Sequence, residues 1–467
     1  MLDVLARQKI MNVRLGAPTQ RERTERLDKA IALLVDHQQA LVDALDQDFG
    51  ARSKDSSLLT DVASSISALK FAKDNLARWM RPERRKVEAP LNLLGAKAEI
   101  RFQPKGVVGI ISPWNFPVNL TFTPLAGVLA AGNRAMIKPS EYTPVTSELM
   151  KTLVAKYFAD EEIAVFTGGP EVGGAFAGLA FDHLIFTGST SIGYHVMRAA
   201  AENLTPVTLE LGGKSPVIIS RSADIAKTAA RVMAGKTLNA GQICLAPDYV
   251  IAPKDGAEAF VAAAKAATAK MYPTIKENPD YTAIVSQRHF DRLHDLVADA
   301  RDKGANVVEI NPANEDMSQQ EHRRFAPTLI LNPTDDMKVM QDEIFGPILP
   351  IMTYDHIGEA LNYVNAHPRP LGLYYFGEDG GERENVLANT TSGGVTVNDV
   401  IFHVAQEDMP FGGVGPSGMG AYHGREGFLE FSHRRAVYTQ IKSEVLALMR
   451  PPYGDAYRKQ VAGRVKK

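Results

Sequence analysis

GVVGIIS at residues 106–112, RAMIKPS at 134–140, IAVFTGG at 163–169, HLIFTGST at 183–190 and PVTLELGG at 206–213 are five short apolar runs, each closing on glycine, serine or threonine. Helix-compatible stretches separate them, starting after Pro117, Pro144 and Pro170 and again at Ser189. Short buried strands alternating with helices predict an α/β chain with a right-handed parallel βαβ sheet. Ligands of such sheets bind beyond the carboxyl ends of the strands. Trp114-Asn115, Lys138-Pro139, Gly168-Gly169 and Gly188-Ser189 all fall there, so four loops are expected to face one crevice.

Toward the amino terminus, Leu27, Ile31, Leu34, Leu41 and Leu45, then Val62, Ile66, Leu69 and Leu76, recur at helical steps or their multiples. Phe49-Gly50 reads as the stop between two helices. The charged, Pro-containing stretch 81–90 leads into alternating, strand-like residues 97–102, a candidate hairpin leaving the main body. Toward the carboxyl terminus, strand candidates at 215–220, 248–252, 305–310, 328–331 and 394–398 suggest a second α/β lobe. The Ala-rich stretch 257–269 reads as an ordinary helix.

Composition bounds the function. At 467 residues with 45% hydrophobic and 23% charged positions, two or more lobes are expected. With 52 basic and 54 acidic side chains there is no net field to attract nucleic acid or a membrane surface. The basic ending from Arg458-Lys459 to Lys466-Lys467 reads as a solvated charge run rather than a phosphate-binding tail. MLDVLARQKI lacks the apolar core of a secretory signal, and the VLALM run at 445–449 stops at Arg450-Pro451-Pro452, so no membrane span is expected. One cysteine leaves no intrachain disulfide or cysteine-rich metal site and fits a reducing compartment, with the cytoplasm as default. No HExxH motif is present, and no metal is expected; His289 and His294, five apart, read as residues of a solvated helix. GxSxG is missing too, which argues against a serine hydrolase.

Cys244 lies in NAGQICLAPDY, where small residues and a following proline suit a loop that substrate can approach. A lone cysteine is by default a small buried hydrophobe. To act as a nucleophile it needs a base or local positive potential. Glu210, closing the run PVTLE before Leu211-Gly212-Gly213, is the candidate base; a solvated strand-end glutamate is the plain alternative. Asn115, between two prolines in SPWNFP, can offer an amide N–H to an oxyanion or can simply make a turn. GSTSIG at 188–193 follows a strand and opens a helix, a candidate pyrophosphate cradle. GVGPSG at 413–418 matches G-x-G-x-x-G literally, but its proline and flanking glycines read as a structural loop.

Taken together, PWNFP (113–117), KPSE (138–141), FTGST (186–190), LELGGKSP (209–216), GQICLAPD (241–248), EIFGPILP (343–350) and PFGGVGPSGMG (410–420) resemble the aldehyde dehydrogenase superfamily in its order. The segment after the cysteine and SGMGAYHG (417–424) look most like the class 3 and coniferyl aldehyde dehydrogenase branch. The resemblance implies a Rossmann-like NAD-binding domain (1–82 and 104–211), an α/β catalytic domain (212–429), a β oligomerisation element (83–103 and 430–445) and a tail (446–467). It maps Cys244 to the nucleophile, Glu210 to the base and Asn115 to the oxyanion donor. Lys138 and Glu141 match the adenine-side ribose positions, Gly188, Ser189 and Gly193 the pyrophosphate helix, and Glu343 and Phe345 the nicotinamide side. Trp114 and Leu211 complete the cofactor set. The implied reaction is NAD-dependent oxidation of an aldehyde, coniferyl-type aromatic or medium-chain aliphatic, to the acid, by a cytoplasmic homodimer. NADP is the alternative cofactor. The rival functions are a coenzyme A-acylating enzyme and a non-catalytic, crystallin-like structural protein.

Overall fold

The computed structural model describes all residues except 90, 443–446, 448–449 and 466–467, so most of the 445–449 run and the last two lysines lie outside the described residues. Two compact units are resolved: Met1–Trp79 with Pro104–Ser432, and Met80–Gln103 with His433–Lys467.

The larger unit opens with a helix, Leu2–Leu15, that sequence periodicity did not reveal. It buries only Val4, Leu5 and Gln8, while Ile10, Val13 and Leu15 stay exposed and blur the pattern. Gln20–Asp36 begins on a capping box in which Thr19 Oγ1 accepts the Glu22 N–H and the Glu22 carboxylate accepts the Thr19 N–H. Gly50, at φ 80°, supplies the left-handed residue that ends the helix Gln38–Phe49. The leucine spacing runs straight through a break at His37 that makes two helices of this region rather than one. Ser64–Trp79 follows a π-helical turn, Leu58–Ala63.

The strands in chain order begin with β1 (Glu83–Arg85) and β2 (Lys97–Pro104). Five more follow: β3 (Val107–Ile111), β4 (Arg134–Lys138), β5 (Ile163–Val165), β6 (His183–Thr187) and β7 (Val207–Glu210). Then come β8 (Pro216–Ile219), β9 (Tyr249–Pro253), β10 (Asn306–Glu309), β11 (Thr328–Leu331), β12 (Ile348–Tyr354), β13 (Gly372–Phe376) and β14 (Gly394–Val397). The last two are β15 (Gly418–Met419) and β16 (Ser432–Thr439).

The five opening runs form the parallel strands of one sheet, ordered β15-β7-β6-β3-β4-β5. Its strands are almost wholly buried, which is why they read as continuous apolar runs instead of alternating ones. The GVGPSG loop does not open a βαβ unit. It feeds β15, which pairs antiparallel with β7 (Gly418 opposite Glu210) and covers that edge.

The second sheet runs β10-β11-β12-β9-β8-β13-β14, parallel except for β10. Each of the five expected strands is present, but β12 and β13, both internal to the sheet, were not anticipated. Pro350 inside β12 breaks the sequence signal for a central strand. Its ladder to β9 starts one residue later, at Ile351 opposite Val250. β1, β2 and β16 make a separate three-stranded sheet with β16 at one edge. No helix among the described residues is long and apolar enough to cross a membrane.

Candidate active site

Cys244 sits half-buried in the loop between the helix Ile225–Thr237 and β9. Three successive residues before it, Asn239, Ala240 and Gly241, take left-handed backbone angles of φ 49°, 51° and 74°. Only glycine fits the third, because a Cβ there would stand 2.3 Å from the Gly346 carbonyl oxygen. Gln242 locks the turn: its Nε2 donates to the Asn239 and Ala283 carbonyls at 2.9 and 3.1 Å, and its Oε1 accepts the Val285 N–H at 3.0 Å.

Asn115 is brought to the same loop. Its Nδ2 donates to the Gln242 carbonyl at 3.1 Å, and its own carbonyl accepts Asn239 Nδ2 at 3.2 Å and Arg52 Nη1 at 2.9 Å. Arg52 in turn pairs with buried Asp61 at 2.7 Å, and Asp61 Oδ1 accepts the Val118 and Asn119 N–H groups. Arg52, Asp61, Asn239 and Gln242 therefore hold the Trp114-Asn115 loop against the cysteine loop. Sequence reasoning singled out none of them. Gln242 lies inside the quoted GQICLAPD run and was within reach; Arg52 and Asp61 carry no motif and meet the site only through the fold.

Glu210 ends β7 at 1% exposure, more deeply buried than a strand-end glutamate beside flexible backbone suggested. Neither carboxylate oxygen has a hydrogen-bond partner among the described residues. Burial first, and the neighbouring Glu430 charge second, push its pKa well above the usual carboxylate range. Burial, then the charges of Glu343 and Glu210, push the Cys244 thiol up, against N–H contacts from the backbone of Cys244 and Leu245. Tyr422, whose buried hydroxyl also lacks a partner, feels both Glu210 and Cys244. Glu210 and Cys244 thus occupy one electrostatic neighbourhood at the carboxyl end of β7.

Among the residues expected to hold a dinucleotide, buried Lys138 reaches Glu141 at 3.0 Å, and Gly173 on the helix that Gly169 caps lies against the Lys138 stem. Ser189 caps the helix Thr190–Ala201 after Gly188, its hydroxyl accepting the Ile192 N–H. Gly193 lets that helix approach Leu211, whose side chain would meet a Cβ at 2.8 Å. Gly212 does the same for Glu343, whose Oε2 would lie 2.2 Å from a Cβ. Glu343 Oε1 has no hydrogen-bond partner among the described residues, and burial, then Asp248, push this carboxyl up to about 8. Phe345, at φ 51°, packs its ring 5.2 Å from Trp114.

His289 departs from the solvated reading. It is half-buried with its ring 5.0 Å from Trp114 and 5.2 Å from Tyr142, and burial lowers its pKa to about 4. The amphipathic helix Gln287–Asp302 presents it to the Trp114 loop, a contact invisible to local spacing; His294 is exposed on the same helix. Among the described residues no three His, Cys, Asp or Glu side chains gather as a metal site.

This combination of two α/β sheets and a cysteine loop facing a buried glutamate defines a class. The sequence profile of the aldehyde dehydrogenase family matches residues 7–437, and the chain belongs to that family of enzymes. It is 65% identical to a probable coniferyl aldehyde dehydrogenase of Caulobacter vibrioides, over 100% of this chain and 97% of that one. It is 54% identical to a coniferyl aldehyde dehydrogenase of a Pseudomonas species, over 97% and 94%. The substrate-bound structure of Staphylococcus aureus AldH superposes with a TM-score of 0.93 at 36% identity, covering 99% of each chain. A Mycobacterium tuberculosis aldehyde dehydrogenase complexed with NAD+ gives 0.84 at 25% identity, over 94% and 90%.

Proposed function

We propose that the chain oxidises an aromatic, coniferyl-type aldehyde to its carboxylic acid with NAD, using Cys244 as nucleophile, Glu210 as general base and Asn115 as oxyanion donor. The observation that carries this reading is Glu210: buried, both oxygens unpartnered, and close enough to perturb the Cys244 thiol. A carboxylate so placed stabilises nothing in the fold and suits a base that must meet water. The two coniferyl aldehyde dehydrogenase relatives support the substrate class.

The residues present fit a dinucleotide. The helix start at Gly188-Ser189 suits a pyrophosphate, the Lys138–Glu141 pair suits ribose hydroxyls, and the orphaned Glu343 Oε1 is an acceptor for a second ribose. Bound there, the cofactor supplies a hydride acceptor. Glu141 would repel a 2′-phosphate while Lys138 would attract it, so NAD is favoured and NADP is the alternative.

The Cys244 thiolate, returned each cycle when the thioester C–S bond breaks, adds to the aldehyde carbon, and Asn115 Nδ2 with the Cys244 N–H stabilises the thiohemiacetal oxyanion. Loss of hydride leaves a thioester on Cys244. Glu210 then takes a proton from water as its oxygen attacks the thioester carbon, the C–S bond breaks, and the acid leaves. A coenzyme A-acylating enzyme would not need this base. Since the thiol must stay reduced, a cytoplasmic location is favoured, and the β1-β2-β16 sheet is the proposed homodimer element.

Cys244→Ser should abolish NADH formation from cinnamyl-type aldehydes. Glu210→Gln should keep a stoichiometric NADH burst yet lose steady-state acid formation by at least ~100-fold. Normal turnover in either variant would overturn its assigned role.

A further inference from the structure

A base that collects one proton per turnover must lose it again, and Glu210 at 1% exposure is poorly placed to do so unaided. Thr208 lies two residues earlier on the same face of β7, about 6–7 Å away along the strand. On Thr208 rests a second carboxylate: Glu430, at the end of the helix Gly424–Glu430, whose Oε1 accepts the Thr208 hydroxyl at 2.5 Å. Gly420 makes the room, since a Cβ there would stand 2.7 Å from Glu430 Oε1 and 3.0 Å from Thr208 Cγ2. The Glu430 side chain is 26% exposed, so it is in exchange with water where Glu210 is not.

Behind Thr208 runs a polar line with one direction. Lys105 Nζ lies 3.0 Å from His183 Nδ1, and His183 Nε2 lies 2.8 Å from Thr208 Oγ1. An ammonium can only donate, so Nδ1 accepts, Nε2 carries the hydrogen, and it donates to Thr208. That leaves the Thr208 hydrogen for Glu430. Buried His183, lowered to about 3 by burial and by Lys105, stays neutral and keeps this single tautomer. Every donor in the line therefore points toward Glu430.

We propose that Glu430 receives, through water, the proton that Glu210 takes during thioester hydrolysis, and returns it to solvent, with Lys105, His183 and Thr208 orienting it. The step balances. The proton removed from the attacking water resides on Glu210, the Glu210 O–H bond breaks as a bridging water passes a proton to the Glu430 carboxylate, and bulk water takes it from there. Glu430 acts through Glu210 and touches neither aldehyde nor cofactor, so it is a positioning residue for proton exit. The inference rests on the proposed role of Glu210 as base. The titratable groups facing Glu210 are Cys244, Tyr422 and Glu430, and His183 faces Glu430.

The test uses the full chain with NAD and cinnamaldehyde. Glu430→Gln should keep the NADH burst, lower steady-state kcat by on the order of 10-fold, and move the acid limb of kcat to lower pH, because a negative charge beside Glu210 is gone. Added imidazole, a diffusible proton acceptor, should restore part of the rate. Thr208→Val, which keeps the carboxylate but removes its donor, should show the same pattern more weakly. Steady-state kcat within twofold of the parent with an unmoved limb would overturn the inference, as would a burst that falls in parallel with the steady state. Failure of the base itself is separate: it appears as normal turnover in Glu210→Gln.

Discussion

At the scale of single residues, the site concentrates ionisable groups that the fold does not satisfy. Glu210 and Glu343 are carboxyls pushed up by burial, and Cys244 is a thiol pushed up by burial and by both of them. Lys236 is the cationic counterpart: fully buried on the helix Ile225–Thr237, without a hydrogen-bond partner for Nζ among the described residues, and lowered to about 8 chiefly by burial. A lysine whose folded pKa is depressed costs stability wherever it is charged in both states. That cost is complete below pH ~8, shrinks as pH rises, and vanishes above the unfolded value near 10.4. Lys236→Met, close in volume, should therefore raise urea-unfolding stability at pH 7 by up to about 3 kcal/mol, with the gain fading toward pH ~10. A destabilised variant, or a gain independent of pH, would show that Nζ is compensated in solution.

At the scale of elements, the placement of Cys244 depends on a strained turn rather than on a helix or strand. Asn239, Ala240 and Gly241 all occupy left-handed backbone, and Gly241 is pressed on the Gly346 carbonyl. Gly241→Ala should cost at least about 1–2 kcal/mol from backbone strain alone. Relief of the 2.3 Å contact must then displace either the cysteine loop or the segment carrying Glu343 and Phe345. The expected readout is loss of the NADH burst with an unfolding transition that stays cooperative; an intact burst would mean that the turn tolerates a methyl group. These elements also show what sequence could reveal. Buried parallel strands advertise themselves as apolar runs, so the first sheet was legible from GVVGIIS to PVTLELGG. β12 was hidden by Pro350, the helix Leu2–Leu15 by its exposed apolar residues, and the break at His37 by leucines that keep their spacing across it. Residues standing in contiguous motifs, such as Asn115, Glu210 and Cys244, could be singled out as candidates from local sequence alone. Arg52–Asp61, the His289–Trp114 contact and the Glu430–Thr208–His183 line join distant segments, and local pattern holds no trace of them.

At the scale of the whole molecule, the smaller unit poses the question of assembly. Its strand β16 is an edge of the three-stranded sheet, and most of its residues from His433 to Thr439 are exposed. Such a largely exposed edge strand presents unpaired N–H and C=O groups, a liability that a lone chain manages by covering it or by pairing it with another copy. The proposed homodimer uses this edge. Successive N–H groups along a strand point to opposite sides, so of Arg435→Pro and Ala436→Pro one removes a donor from the free edge and the other from the side facing β2. The free-edge variant should sediment as a monomer at micromolar concentration while the parent sediments as a dimer. Because Cys244, Glu210 and Asn115 all lie in the larger unit, that monomer should still release a full NADH burst. Two proline variants that both remain dimeric would move the interface elsewhere on the chain, and a monomeric variant without a burst would tie the active site to assembly.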